Sequence, residues 1–422
     1  MQKESLRHRI AEGLNDMCYI WAKETRALWK DEGVLLFCAI VPFLYPLLYS
    51  FIYNNETVKD VPVCVVDMSH SNTSRKFIRM VDASPNTKVA YYCNNIDEAR
   101  QLLGKQVAHG IIYFPDDFET KLYRNEQSQV GVYCDMSLML NYKNVYQTSQ
   151  TIATEINSQI QLSQGTSYTK RDEELSSEPL ALDEVPMFNP AGGYGTYLLP
   201  AVLIIIIQQT LMLGIGLAAG TSREHNRYQE LVPVSRHYNG IFRIVLGKSL
   251  CYFMIYAIVT AFLTIIIPRM FHFTALGSGS ALFWLMVPYL LACIFFGLAL
   301  SCLVRYRENV FLLVVFTSVP ILFMTGVSWP QISMPTFWRG VSWLFPSTFG
   351  ASAFVKINSM GATLAEVRHE YNLLWTQVII YFFAACLVYR FQIKQTHRRA
   401  RKQIEELRNL ARNTRLAKQE ST

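Results

Sequence analysis

The chain is 422 residues long, 51% hydrophobic and 17% charged, with 39 Lys and Arg against 32 Asp and Glu for a net charge of +7. A soluble globular chain carries about 25% charged residues. Here the deficit is concentrated in long uncharged windows, which excludes a simple soluble protein and indicates a multi-span membrane protein with attached polar regions.

Residues 1–33 are polar and basic, with Lys3, Arg7, Arg9, Lys23, Arg26 and Lys30 among apolar residues at broadly helical spacing. They read as a cytoplasmic amphipathic segment, either lying on the membrane surface or leading into the first span as a solvated helix. Residues 34–53 carry no charge and are long enough to cross a hydrocarbon core of about 30 Å. No small-residue cleavage site follows, so this run is expected to be an uncleaved first transmembrane helix with the N-terminus inside.

Residues 54–190 read as one soluble lobe. Runs at 61–67, 88–93, 110–115 and 130–133 are strand candidates, and 71–81, 97–103 and 116–123 are helix candidates between them. That alternation predicts a small α/β domain. Residues 144–164 form a polar helix leading back towards the membrane, and 163–186 are acidic and loop-like. Cys64, Cys93 and Cys134 fall in the lobe, where an odd number permits one disulfide or three buried thiols. Asp67, His109, Asp116 and Asp117 are the candidates for acid–base chemistry. The paired carboxylates directly follow Pro115, as at a helix N-terminus, and no nucleophile elbow, metalloprotease motif or phosphate loop is present.

Apolar runs return at 197–219, 244–267, 281–304, 310–327 and 373–389, which makes six expected spans. The loop between the second and third holds Arg223, Arg227, Arg236 and Arg243, and that between the fourth and fifth holds Arg305 and Arg307. The tail at 391–422 is also basic, with a thin apolar stripe of Ile404, Leu407, Leu410 and Ala411. It is either a solvated helix or one that lies on anionic lipid or a partner. The connection on the opposite side, between the third and fourth spans, holds only Arg269. Span count and Lys/Arg bias therefore agree: both termini and the basic loops lie inside, and the α/β lobe lies outside. The same placement reads the positive charge as a cytoplasmic membrane face and excludes nucleic acid as a partner. Residues 329–356 are aromatic but broken by Pro330, Pro335 and Pro346. Short helices that dip into the outer leaflet and return, or a loop packed on the membrane surface, both suit that pattern.

Almost no ionisable residue lies within the spans, which argues against ion-coupled transport. A membrane enzyme would need a polar cluster at one membrane depth, and none is evident in the pattern. Lys248, at the inner edge of the third span, reads as a snorkelling side chain. Gly247–Lys248–Ser249 invites a nucleotide-binding reading, but the motif G-x-x-x-x-G-K-S/T requires glycine where Phe242 stands. Work must then be supplied by a separate ATPase, and the charged island at 221–243 is the largest inner polar surface apart from the termini.

The chain resembles the type-2 permease subunits of ABC exporters over 62–389. The resemblance rests on P-V-C-V-V-D-M-S-H-S-N-T-S-R-K-F-I, D-A-S-P-N-T-K-V and A-H-G-I-I-Y-F-P-D-D-F in the lobe, F-N-P at 188–190 before Y-L-L-P-A-V-L, R-E-H-N-R-Y-Q-E-L-V-P-V-S-R in the inner loop, and F-P-S-T-F-G at 345–350. It departs where the family commonly reads E-R-G-T, since His225, Asn226, Arg227, Tyr228 and Gln229 stand there, and where Phe349 replaces a His or Tyr. The resemblance implies the ABC type-2 transmembrane fold with an inserted extracytoplasmic α/β domain, in a bacterial inner membrane. It implies a coupling helix across Arg223–Val234, with Arg223, Glu224, Arg227, Glu230, Leu231, Pro233 and Val234 seated mechanically in a groove of an ABC ATPase. ATP and Mg would be bound by that ATPase, and no cofactor by this chain. It also implies a dimer with a second copy or a paralogue, a lipid bilayer environment, an outer re-entrant hairpin at 329–356 and contact with a periplasmic adaptor protein. The alternative is a membrane-anchored sensor or scaffold whose outer lobe binds a ligand or partner.

Overall fold

The computed structural model describes residues 6–124, 126–164, 187–189, 192–224, 240–301 and 306–420. It separates into two units: Met1–Asn54 with Met187–Thr422, and Asn55–Pro186.

The Asn55–Pro186 unit is an α/β lobe with strand order β2-β1-β3-β4. Its strands are β1 (Val61–Asp67), β2 (Thr87–Tyr92), β3 (Gly110–Phe114) and β4 (Gly131–Cys134). β1 pairs in parallel with β2 and β3, and β3 pairs antiparallel with β4. A strand flanked on both sides by parallel neighbours is covered on both faces and reads as a continuous apolar run. Accordingly Val61, Val63 and Val65 enter one core with Phe77, Ile112, Phe114 and Phe118. Cys64 and Val66 enter a second with Cys93, Ala99, Ala108 and Ile111.

Local chemistry sets the lobe's helices. Ser71 and Ser74 form a capping box at the start of Asn72–Asp82, and Asn95 caps Ile96–Gly104. Phe118–Tyr123 and the long Met139–Gln164 complete the lobe. Cys64, Cys93 and Cys134 are free thiols. Burial pushes the Cys64 thiol up to about 12. Most of the acidic 163–186 stretch lies outside the described residues.

The other unit is helical: α1 (Leu6–Lys30), α2 (Glu32–Ile52), α3 (Tyr194–Glu224), α4 (Ile241–Met270), α5 (Gly279–Leu300), α6 (Glu308–Met324), α7 (Thr336–Ser342), α8 (Pro346–Met360) and α9 (Arg368–Glu420). Five helices are long and apolar enough to cross a membrane: Glu32–Ile52, Tyr194–Glu224, Ile241–Met270, Gly279–Leu300 and the first part of α9, Arg368–Gln395. The remaining expected span, α6, is an apolar helix of 17 residues, about 25 Å at 1.5 Å per residue. The basic tail continues the last helix without a break to Glu420.

α3 is the most buried of the apolar helices, with Leu199, Ile204, Ile207, Leu211, Ile215 and Leu217 at the heart of the core. Asn189 orients its entry, since its side-chain amide exchanges hydrogen bonds with the backbone of Gly193 at 2.9 and 3.1 Å. That gives the F-N-P stretch a local role. The proline-broken segment at 329–356 becomes a 3-10 turn (Gln331–Ser333), α7 and α8.

Candidate coupling site

Of the residues expected to couple, Arg223 and Glu224 form the end of α3. Arg227, Glu230, Leu231, Pro233 and Val234 lie outside the described residues. What the structure supplies is the frame on each side of that loop.

On the far side, α1 runs against the start of α4. Asp16 Oδ2 accepts from Arg243 Nη1 at 2.6 Å, and both Glu24 carboxylate oxygens accept from Lys248 Nζ, at 2.7 and 2.8 Å. Thr25 Oγ1 lies 3.2 Å from Cys251 Sγ. Between the two ion pairs, Ile20 packs on Gly247, where a Cβ would stand 2.9 Å from the Ile20 Cβ. Every member of the G-K-S stretch therefore has a structural role: Gly247 admits α1, Lys248 pairs with Glu24, and Ser249 Oγ bonds its own helix at Leu246 O. The Lys248 ammonium, expected to snorkel, is held by the Glu24 carboxylate of a neighbouring helix. Within residues 6–30 these contacts pack α1 on the start of α4.

On the near side three helix ends meet. Asp31 caps α2, accepting from the Gly33 and Val34 N–H groups at 3.2 and 3.3 Å. The same carboxylate accepts from Thr221 Oγ1 of α3 at 2.9 Å and from Arg307 Nη2 at 2.6 Å. Burial raises the Asp31 carboxyl, but the hydrogen bonds from Thr221, Val34 and Arg307, with the Arg307 charge, outweigh it and hold the group below its ordinary value. The Arg307 backbone N–H donates to Glu224 Oε1 at 2.9 Å. Gly220 permits this approach, since a Cβ there would lie 2.9 Å from the Arg307 Cα. Arg307 thus binds both Glu224, the last described residue of α3, and the cap of the first apolar helix. Reading it only as part of a charge bias missed this. Asp31 carried a legible signal, an acidic N-cap residue directly before an apolar run.

A second polar constellation lies in the middle of the helices, where the sequence pattern had shown none. Gln208 Oε1 of α3 accepts from the Ser347 N–H at the start of α8 at 2.8 Å, and Cys293 Sγ of α5 approaches the same oxygen at 3.8 Å. Tyr289 donates to Ile204 O at 2.6 Å. At the turn 343–345 side chains bond the backbone carbonyls, Ser342 O in addition to its bond from the Phe345 N–H. Thr348 Oγ1 donates to Ser342 O at 2.7 Å, Gln377 Nε2 to Trp343 O at 2.8 Å, and the Tyr381 hydroxyl to Leu344 O. Backbone that departs from a helix inside an apolar bundle persists only when protein groups satisfy it. Lys356 of α8 also pairs with the largely buried Glu370 of α9.

The lobe's acid–base candidates are held by local contacts. Asp67 accepts from the Ser69 and His70 N–H groups and from Ser74 Oγ at 2.7 Å. Asp117 pairs with Lys121 at 2.5 Å, and the Asp116 carboxylate accepts the Asp117 N–H. His109 lies 3.9 Å from Asp135, at the opposite end of β3 from Asp116.

This frame of apolar helices interrupted by a charged loop matches the profile of the ABC-2 family transporter proteins over residues 33–387. The chain belongs to that family. Two curated relatives, each described as a probable multidrug ABC transporter permease YbhR, come from Escherichia coli K12 and Escherichia coli O157:H7. Each is 21% identical over 361 residues, spanning 85% of this chain and 93% of the relative. This ABC-2 family member is therefore a helical, multi-pass membrane protein of the ABC permease type. Family membership suggests a transport subunit rather than an enzyme, working with an ATPase in a membrane.

Proposed function

We propose that this protein is the membrane-spanning permease subunit of an ATP-driven ABC exporter, moving substrate out of the cytoplasm or inner leaflet with energy from a separate ATPase subunit. The observation that carries the reading is the double attachment of Arg307. Glu224, the last described residue of α3 and part of the charged island at 221–243, is joined through Arg307 to the cap of the first apolar helix. A pull on the loop therefore reaches three helices at once, as mechanical coupling requires.

In this reading six helices span a bacterial inner membrane, the short α6 among them, with both termini cytoplasmic and the α/β lobe extracytoplasmic. Arg223, Glu224, Arg227, Glu230, Leu231, Pro233 and Val234 seat in a groove of the ATPase, which holds ATP and Mg. Two permease copies, or one copy and a paralogue, enclose the path, and the lobe meets a periplasmic adaptor protein. α7 and α8 form the outer re-entrant hairpin. The satisfied backbone at 343–345 supports that placement, because a turn at membrane depth needs protein partners.

The test is Glu230→Arg in cells. The variant is expected to reach the membrane at wild-type levels, to lose co-purification of the ATPase and to lose export. Wild-type complex and transport in this variant would refute the assignment of the loop.

A further inference from the structure

In the lobe, Phe77, Phe118, Leu122, Val130, Tyr146 and Ile156 line a cavity of about 440 Å³ between the β4 side of the sheet and the Met139–Gln164 helix. That volume falls within the roughly 300–1,000 Å³ typical of small-molecule sites. Among the described residues, the side chains with polar atoms that line it are Ser128, Tyr146, Ser149, Gln150 and Asn157, and no Asp, Glu, Lys, Arg or His does. Ser149 is 5% exposed, and among the described residues its Oγ has no hydrogen-bond partner; the Ser128 hydroxyl is in the same condition. Gln150 and Asn157 are exposed and form the rim.

This combination selects a ligand class. A charged ligand would give up its hydration with no counter-charge to meet it, which is strongly unfavourable. A purely apolar ligand would leave the buried hydroxyls unpaired, which is unfavourable when no partner is supplied. We propose that the lobe binds a small uncharged amphipathic molecule. Its aromatic or aliphatic body packs against Phe77, Phe118 and Leu122, and one hydroxyl, carbonyl or amide group hydrogen-bonds Ser149 Oγ. The site lies wholly within the lobe and does not depend on the coupling assignment.

The test uses the full-length protein in nanodiscs and a neutral aromatic alcohol, 4-(trifluoromethyl-diazirinyl)benzyl alcohol, as a photoactivated probe. Adducts are mapped by mass spectrometry. Saturable adducts are expected within residues 118–132 and 146–160. Ala153→Trp, which fills the cavity from the helix face, should reduce them about tenfold or more, and Ser149→Ala about threefold, corresponding to loss of one hydrogen bond. If Ala153→Trp loses the lobe's native protease resistance, Asn157→Trp at the rim replaces it. Adducts confined to the apolar helices, or lobe adducts undiminished by the folded Trp variant, would overturn the site. Undiminished labelling of Ser149→Ala would overturn the polar contact assigned to Ser149.

Discussion

Arg307 and Asp31 are 276 positions apart in sequence, yet Nη2 of the first lies 2.6 Å from Oδ1 of the second. The pair is only partly exposed, at 35% and 15% of the two side chains, and it is backed by Thr221, the Gly33 and Val34 amides and Glu224. Removing one partner of a poorly solvated pair leaves the other charge unpaired. Arg307→Ala and Asp31→Ala are each expected to lower stability by about 1–3 kcal/mol, and the double variant by less than their sum. Thermal unfolding of the four purified proteins in one detergent measures this coupling. Strict additivity would mean that the pair carries no energy.

Asp31 also gives a pH signature. Its carboxyl is held below the ordinary value of 3.8 by Thr221, Val34 and Arg307, against an opposing effect of burial. A group with a depressed folded-state value contributes stability above its unfolded-state value and loses it as pH falls through the folded one. The Tm advantage of the wild type over Asp31→Asn should therefore be constant from about pH 7 to 5 and vanish at more acidic pH. A difference that grows on acidification would contradict the assignment.

Much of this architecture was legible in the sequence, and what escaped shares a physical cause. Continuous uncharged runs announced the apolar helices, and the strands of the lobe followed from β-branched runs, whereas the Ser71 and Asn95 caps emerged only in the structure. The short Glu308–Met324 helix was visible as apolar, but its length did not follow from composition. The missed residues, Asp16, Glu24, Asp31, Arg307 and Gln208, act through partners distant in sequence, as Asp16 does with Arg243 across 227 positions and Gln208 with Ser347 across 139. Pairing of that kind is set by helix packing, which local periodicity does not encode. Gln208 in particular is one polar residue in an apolar helix, and only the placement of Ser347 beside it gives it a role.

The packing of α1 on α4 yields a charge-swap experiment. Lys248→Glu sets two carboxylates against each other at a contact now 2.7 Å long. It is expected to expose α1 to limited proteolysis and to lower Tm by several degrees, consistent with about 1–2 kcal/mol. Adding Glu24→Lys should restore much of the loss. Gly247→Val addresses the same interface sterically, because its Cβ meets Ile20. Overpacking there is expected to cost about 1–3 kcal/mol.

Gln208→Leu removes the acceptor of the buried Ser347 N–H. An unpaired buried amide costs about 1–3 kcal/mol, so this variant should unfold at lower temperature. Tyr381→Phe should do the same by stranding the Leu344 carbonyl. Hydrogen exchange across 343–349 is expected to quicken in both variants and to remain slow in Glu224→Ala, whose contact lies at the C-terminal end of α3, 16 residues beyond Gln208.

Coupling through the charged loop is tested most directly by photocross-linking from position 230 in the assembled membrane complex. A photoreactive residue at Glu230 is expected to cross-link to the ATPase subunit, while the same residue at Ser128 in the lobe does not. Cross-links from position 230 to lipid alone, with the ATPase present and co-purifying, would contradict coupling through this loop.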